Sequence, residues 1–141
     1  ILSPGPGLPE EHPILNQVLV KYYQNKSILG ICLGQQSIAE FFGATLYNLS
    51  EVKHGVSSEI IHYNNSKVFN DLPSNFKVGH YHSWAVSKEN FPNVLIVTSE
   101  NIEGKIMSIK HKEFDITGLQ FHPESILTEN GLKMIENWLT N

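Results

Sequence analysis

Residues 27–42 read SILGICLGQQSIAEFF. Ser27 to Ile31 is a short apolar run and reads as a buried strand. Gly30-Ile31-Cys32-Leu33-Gly34 then sets the chain's single cysteine between two glycines. From Gln35 the pattern turns helical, with Ile38, Ala39, Phe41 and Phe42 on one face. A strand, a sharp turn with a nucleophile at its tip and a helix make a nucleophile elbow, here built on cysteine. Flanking glycines suit a turn whose neighbouring backbones come too close for a Cβ. The helix start offers unpaired N–H groups and a partial positive charge, which predict a thiolate at Cys32. A lone cysteine after an apolar strand is ordinarily a small buried hydrophobe. The far end of the chain lifts Cys32 above that reading.

There, Ile116 to Phe121 is a second apolar run, read as a buried strand, with His122-Pro123-Glu124 at its end. In an open parallel sheet, ligands bind outside the carboxyl ends of the strands. Cys32, His122-Pro123-Glu124 and the turn Ser3-Pro4-Gly5-Pro6-Gly7 are all expected at that rim. His122 can take the thiol proton and return it to a leaving amine. Glu124 can orient the imidazole, provided Pro123 and the strand end make a tight turn. The Leu33 N–H and an N–H of the Gly5-Pro6-Gly7 turn can form an oxyanion hole. Together these features point to thiol-based acyl transfer.

The remaining segments supply the frame. Pro9 to Tyr23 reads as a helix with Ile14, Leu15, Val18, Leu19 and Tyr22 at helical spacing. Strand, helix, strand, helix implies a parallel sheet. Ala44–Leu49 and Ser57–His62 read as strands parted by Lys53-His54-Gly55, and Val94–Ser99 and Ile106–His111 as an antiparallel pair around Glu103-Gly104. Leu132–Leu139 reads as an amphipathic helix with Leu132, Ile135, Trp138 and Leu139 inward. His80-Tyr81-His82-Ser83-Trp84 reads as a loop that touches a ligand or partner. Two histidines are too few ligands for zinc, so no metal site is expected.

The 141 residues suit one domain, and 40% hydrophobic with 17% charged content suits a soluble globular protein. A net charge of −4 argues against nucleic acid or an anionic membrane as partner. No apolar run is long enough to span a membrane. One cysteine cannot form an internal disulfide, so a reducing cytoplasm is the expected compartment.

SPGPG, GICLGQQ and GLQFHPES, in this order, resemble the class I (triad) glutamine amidotransferases. FHPESILT, YHS and KHG are most similar to the small subunit of anthranilate synthase, and next to that of aminodeoxychorismate synthase. The resemblance runs from Ile1 to the last helix. It implies an α/β, flavodoxin-like fold: a mostly parallel open sheet with helices on both faces. It implies that Cys32 attacks the side-chain amide of L-glutamine, that His122 and Glu124 complete a triad, and that no cofactor is needed. It places Gly5, Pro6, Gly7, Leu33, Gln36, Ser83 and Trp84 around the glutamine and its oxyanion. The implied partner is a chorismate-using synthase large subunit, which receives the ammonia in tryptophan biosynthesis, or alternatively in the folate pathway. A stand-alone γ-glutamyl hydrolase is the rival enzyme class. Relatives carry a strand, a helix and a strand up to SPGPG, so Ile1-Leu2 is expected to be the tail of that second strand, with an N-terminal unit lacking. The segment is accordingly expected to be poorly soluble or weakly active alone.

Overall fold

The computed structural model describes residues 1–140. Their elements run α1 (Pro13–Tyr22), β1 (Ile28–Ile31), α2 (Leu33–Phe41), β2 (Leu46–His62), β3 (Asn75–Val86), β4 (Leu95–Asn101), β5 (Ile106–His111), β6 (Ile116–Leu119) and α3 (Gly131–Leu139). The six strands form one sheet in the order β1-β6-β5-β4-β2-β3.

The sheet divides the core in two. Ile28 and Leu29, neighbours in β1, face opposite sides as strand geometry demands. Ile28 joins Leu19 of α1 and Ile38 and Ala39 of α2. Leu29 joins Leu119, Phe121 and Met134 of α3. Helices therefore cover both faces, as expected of the α/β class. β1 is buried along its whole length, which is why it reads as an unbroken apolar run.

The parallel part of the sheet is narrower than expected. β1 pairs in parallel with β6, and Leu2 forms a parallel bridge to Gly30 on the other side. The pairs β2–β3, β2–β4, β4–β5 and β5–β6 are all antiparallel. The connections explain this. Short turns join β4 to β5 and β5 to β6, as antiparallel neighbours allow, whereas parallel neighbours need a long crossover, and residues 32–115 separate β1 from β6.

Other boundaries shift for local reasons. The first helix divides into a 3-10 turn at Pro9–Glu11 and α1, broken at His12 where Pro13 follows. Ile14 lies on its exposed side. The two strands expected across 44–62 are one irregular strand, β2, whose register slips between Asn48 and Lys53 and between His54 and Val56. His80 to Trp84 are not a loop but the middle of β3. In α3, Leu132 and Leu139 face solvent, and the inner face is centred on Met134, with Ile135 and Trp138 beside it. Gly131 sets that rotation: it starts the helix hard against the Pro123 carbonyl, where no Cβ would fit.

Candidate active site

The elbow forms where β1 meets α2. Cys32 is the residue before the helix and holds φ 53°, ψ −103°, a conformation that side-chain-bearing residues rarely adopt. Its N–H donates to the Leu119 carbonyl at 2.7 Å, and its own carbonyl accepts from the Gln36 N–H at 3.1 Å. The flanking glycines are obligatory on steric grounds. A Cβ on Gly30 would lie 2.5 Å from the Gly34 backbone and 2.6 Å from Ile38 Cδ1. A Cβ on Gly34 would collide with the Leu2 carbonyl and sit 2.8 Å from Leu2 Cβ.

The glycine-proline turn is pinned beside this elbow. The Leu2 N–H donates to the Leu29 carbonyl at 2.8 Å, and the Ile31 N–H donates to the Leu2 carbonyl at 3.0 Å. Beyond the turn, the Leu8 N–H donates to Glu11 Oε2 at 2.6 Å, and His12 Nε2 donates to the Pro6 carbonyl at 2.7 Å. Gly7 takes φ +76°. Gly5 packs on the Leu33 side chain, where an added Cβ would lie 3.0 Å from Leu33 Cδ2.

These pieces enclose a cavity of about 120 Å³. Gly5, Pro6, Gly7, Cys32, Gln36, Ser83 and Trp84, seven of the residues picked from the sequence, line it together with Tyr81 and His82. Leu33 lies under Gly5 at its edge. His122 and Glu124 stand outside that lining, across Tyr81. The Tyr81 carbonyl is 4.0 Å from Cys32 Sγ, while its ring meets the His122 ring edge-on at 5.0 Å between centroids.

The expected tight turn at Pro123 is present. The Ser125 N–H donates to the His122 carbonyl at 3.1 Å, and Thr128 Oγ1 donates to the same carbonyl at 2.6 Å. The turn brings Glu124 Oε1 to 2.7 Å from His122 Nδ1. With Nδ1–H donating to the carboxylate, His122 Nε2 carries the free lone pair, and it is buried with no hydrogen-bond partner. Because Ile31 lies beside Leu119 in parallel register, Cys32 and the 120–124 segment leave the sheet at the same rim.

Two side-chain chains converge on the Trp84 carbonyl. His82 Nδ1 donates to it at 2.8 Å, which makes His82 Nε2 an acceptor from His80 Nδ1 at 3.3 Å and His80 Nε2 an acceptor from the Ser58 hydroxyl at 2.7 Å. Gln36 Nε2 also donates to the Trp84 carbonyl, at 3.0 Å, and to Gln120 Oε1 at 3.1 Å. Gln120 Nε2 completes the second chain by donating to Cys32 Sγ at 3.6 Å. Both amide hydrogens of Gln36 are thus used inside the protein, which leaves only Oε1 for a ligand.

A profile of the family described as glutamine amidotransferase class-I matches residues 1–141. The chain belongs to the class I glutamine amidotransferase family. A Haemophilus influenzae protein provisionally named an anthranilate synthase component II is 48% identical over 139 residues, covering 99% of this chain and 72% of that protein. The aminodeoxychorismate synthase component 2 of Klebsiella aerogenes is 40% identical over 139 residues, covering 99% of this chain and 74% of that one. Among solved structures, a Thermoplasma acidophilum protein provisionally named as part of a GMP synthase superposes with a TM-score of 0.81 at 27% identity. It matches 92% of this chain, which spans 64% of the solved one.

In this amidotransferase the thiol is not the ready anion that the helix N-terminus led us to expect. Burial raises the Cys32 pKa, with a further push from the Glu124 charge, to about 11 against the opposing pull of the Leu33 N–H and the Gln120 amide. Removal from water outweighs a helix end that carries only about half a charge. His80 and His82 move the opposite way. Burial lowers both to about 4, so the pair beneath the cavity is neutral at neutral pH. Sequence reasoning passed over Gln120, whereas Tyr81 and His82, expected to touch a ligand or partner, do line the cavity. A polar residue closing an apolar strand two positions before His122 was the available signal for Gln120.

Proposed function

We propose that this chain is the glutaminase subunit of anthranilate synthase. It hydrolyses L-glutamine and supplies ammonia to a chorismate-using large subunit in tryptophan biosynthesis, in the cytoplasm and without a cofactor. Glutamine occupies the cavity with its side-chain carbonyl between the Leu33 N–H and the Gly5-Pro6-Gly7 turn. His122 Nε2 takes the Cys32 proton as sulfur bonds to the amide carbon. The Leu33 N–H and the turn hold the oxyanion. When the carbon–nitrogen bond breaks, His122 returns the proton to nitrogen and ammonia leaves. Water, deprotonated by His122, then cleaves the thioester to glutamate and restores the thiol. Glu124 keeps Nδ1 protonated, so that Nε2 is always the basic nitrogen.

The observation that carries this reading is a strained cysteine facing a small cavity at the rim where a carboxylate-bound histidine keeps an unpartnered Nε2. Higher identity to the Haemophilus protein than to the Klebsiella one supports tryptophan over folate as the pathway. The test pairs this chain with the large subunit of each synthase and supplies glutamine and chorismate. Anthranilate formation with the first alone supports the assignment. Aminodeoxychorismate with the second, or glutamate release indifferent to both, overturns it.

A further inference from the structure

Gln120 is fully buried, yet its amide is not there to satisfy the fold. Its oxygen accepts from Gln36, and its nitrogen points at the one sulfur in the site. Gln36 is itself tied to the Trp84 carbonyl. The chain of bonds leaves Gln120 a single orientation, N–H toward sulfur, because a flipped amide would set NH₂ against the NH₂ of Gln36. A neutral thiol gains little from such a donor, whereas a thiolate gains a charge-assisted hydrogen bond.

We propose that Gln120 stabilises the Cys32 thiolate by donating an N–H to it, and that Gln36 is the positioning residue that aims that N–H. The inference rests on Cys32 being the nucleophile. As a thiol, Cys32 directs its proton at the distant Tyr81 carbonyl. Once His122 Nε2 takes that proton, the sulfur loses this contact and draws on Gln120 and the Leu33 N–H instead. The protonated His122 is the counter-charge that this transfer itself creates, and the remaining groups facing the sulfur do not favour the charge. Glu124, after β6, repels it, and the neutral pair His80 and His82 on β3 supplies no cation. β1 and the turn at residues 3–7 carry no ionisable side chain, and Glu40, the only one on α2, lies two turns along the helix. Gln120 also links the Trp84 end of the substrate cavity to the protonation state of the nucleophile, so a ligand that moves the Trp84 carbonyl is felt at sulfur.

The experiment measures the rate of Cys32 alkylation by iodoacetamide against pH in the full chain, followed by mass spectrometry, for wild type, Q120M and Q36M. Iodoacetamide needs no glutamine site, and the midpoint of its pH profile reports the ionisation of the sulfur independently of reagent access. Q120M is expected to react about tenfold more slowly at pH 8, with its midpoint about one pH unit higher. Q36M, which leaves the amide free to turn, shifts in the same direction by a smaller amount. A midpoint equal to wild type in folded Q120M overturns the proposal. If Q120M lacks a cooperative melt, Q36M decides, and an unshifted midpoint there overturns it equally. Shifted midpoints in a protein that never turns over glutamine would sink the proposed function and leave the role of Gln120 standing.

Discussion

Gly30→Ala tests the elbow as a steric object. The new Cβ would lie 2.5 Å from the Gly34 backbone and 2.6 Å from Ile38 Cδ1, where ordinary contact begins at 3.4 Å. Gly34 is backbone and cannot turn aside, so the first turn of α2 must lift from β1. Gly30 is itself fixed by parallel pairing to Gly118 on one side and Leu2 on the other. Overpacking of this kind costs about 3 kcal/mol, offset by about 1 kcal/mol because alanine has less backbone freedom to lose on folding. A net loss of about 2 kcal/mol lowers the melting temperature of a domain this size by about 7 °C. The functional cost is larger. Lifting α2 carries the Cys32 sulfur and the Leu33 N–H away from their partners, and a misplacement near 1 Å costs about a hundredfold in kcat. Gly43→Ala is the control. It stands at φ +97° with nothing within 4 Å of the added Cβ, far from the site, so it costs about 1 kcal/mol of backbone strain and leaves turnover intact. Thermal melts and glutamate release measured side by side read both quantities. A Gly30→Ala protein with wild-type melting and wild-type turnover would refute the tight elbow.

Glu124→Ala is expected to lower kcat about 10- to 100-fold by freeing the His122 tautomer, and Glu124→Gln less, since an amide oxygen still accepts from Nδ1. The Glu124 charge also raises the Cys32 pKa, so both variants should be alkylated faster than wild type at fixed pH while turning over more slowly; matched changes in the two rates would contradict this. In wild type without glutamine, alkylation should keep climbing through pH 9 and 10 toward the midpoint near 11, and a plateau by pH 8 would show burial to be less costly than described. His80 and His82 titrate near 4 when folded and near 6.5 when unfolded, so the unfolded chain binds more protons as pH falls. Their contribution to stability is full above pH 6.5 and declines toward pH 4, by about 1.4 kcal/mol per pH unit per ring. Urea midpoints across that window should fall accordingly, and His80→Asn should flatten the slope.

The elbow was legible because local chemistry dictates it: an apolar strand, glycines where Cβ atoms would collide, and a helical period beginning after the cysteine. The turn at Gly5 and Gly7 and the His122-Pro123-Glu124 corner were legible for the same reason, since each is a few residues long and its geometry is set by proline, glycine and a strand end. The antiparallel bulk of the sheet was less so. Pairing direction depends on which strands become neighbours, and 44–62 reads as two strands because Gly55 at φ +68° and two register slips interrupt one. The inner face of α3 was misjudged because Gly131 against Pro123 sets its rotation, a contact between segments that periodicity cannot see. The Cys32 pKa was misjudged in sign. A helix end is visible in a sequence, whereas the depth of burial that outweighs it belongs to the assembled fold. Gln120 escaped notice because its meaning lies in Gln36 and Cys32, both more than eighty residues away.

The most direct test is to quench the full chain in acid during glutamine turnover and weigh the peptide that contains Cys32. A glutamyl group on that sulfur, absent from Cys32→Ser and scarce in His122→Asn, is the predicted result. Glutamate release that survives Cys32→Ser, or an acyl group on any other residue, would contradict it.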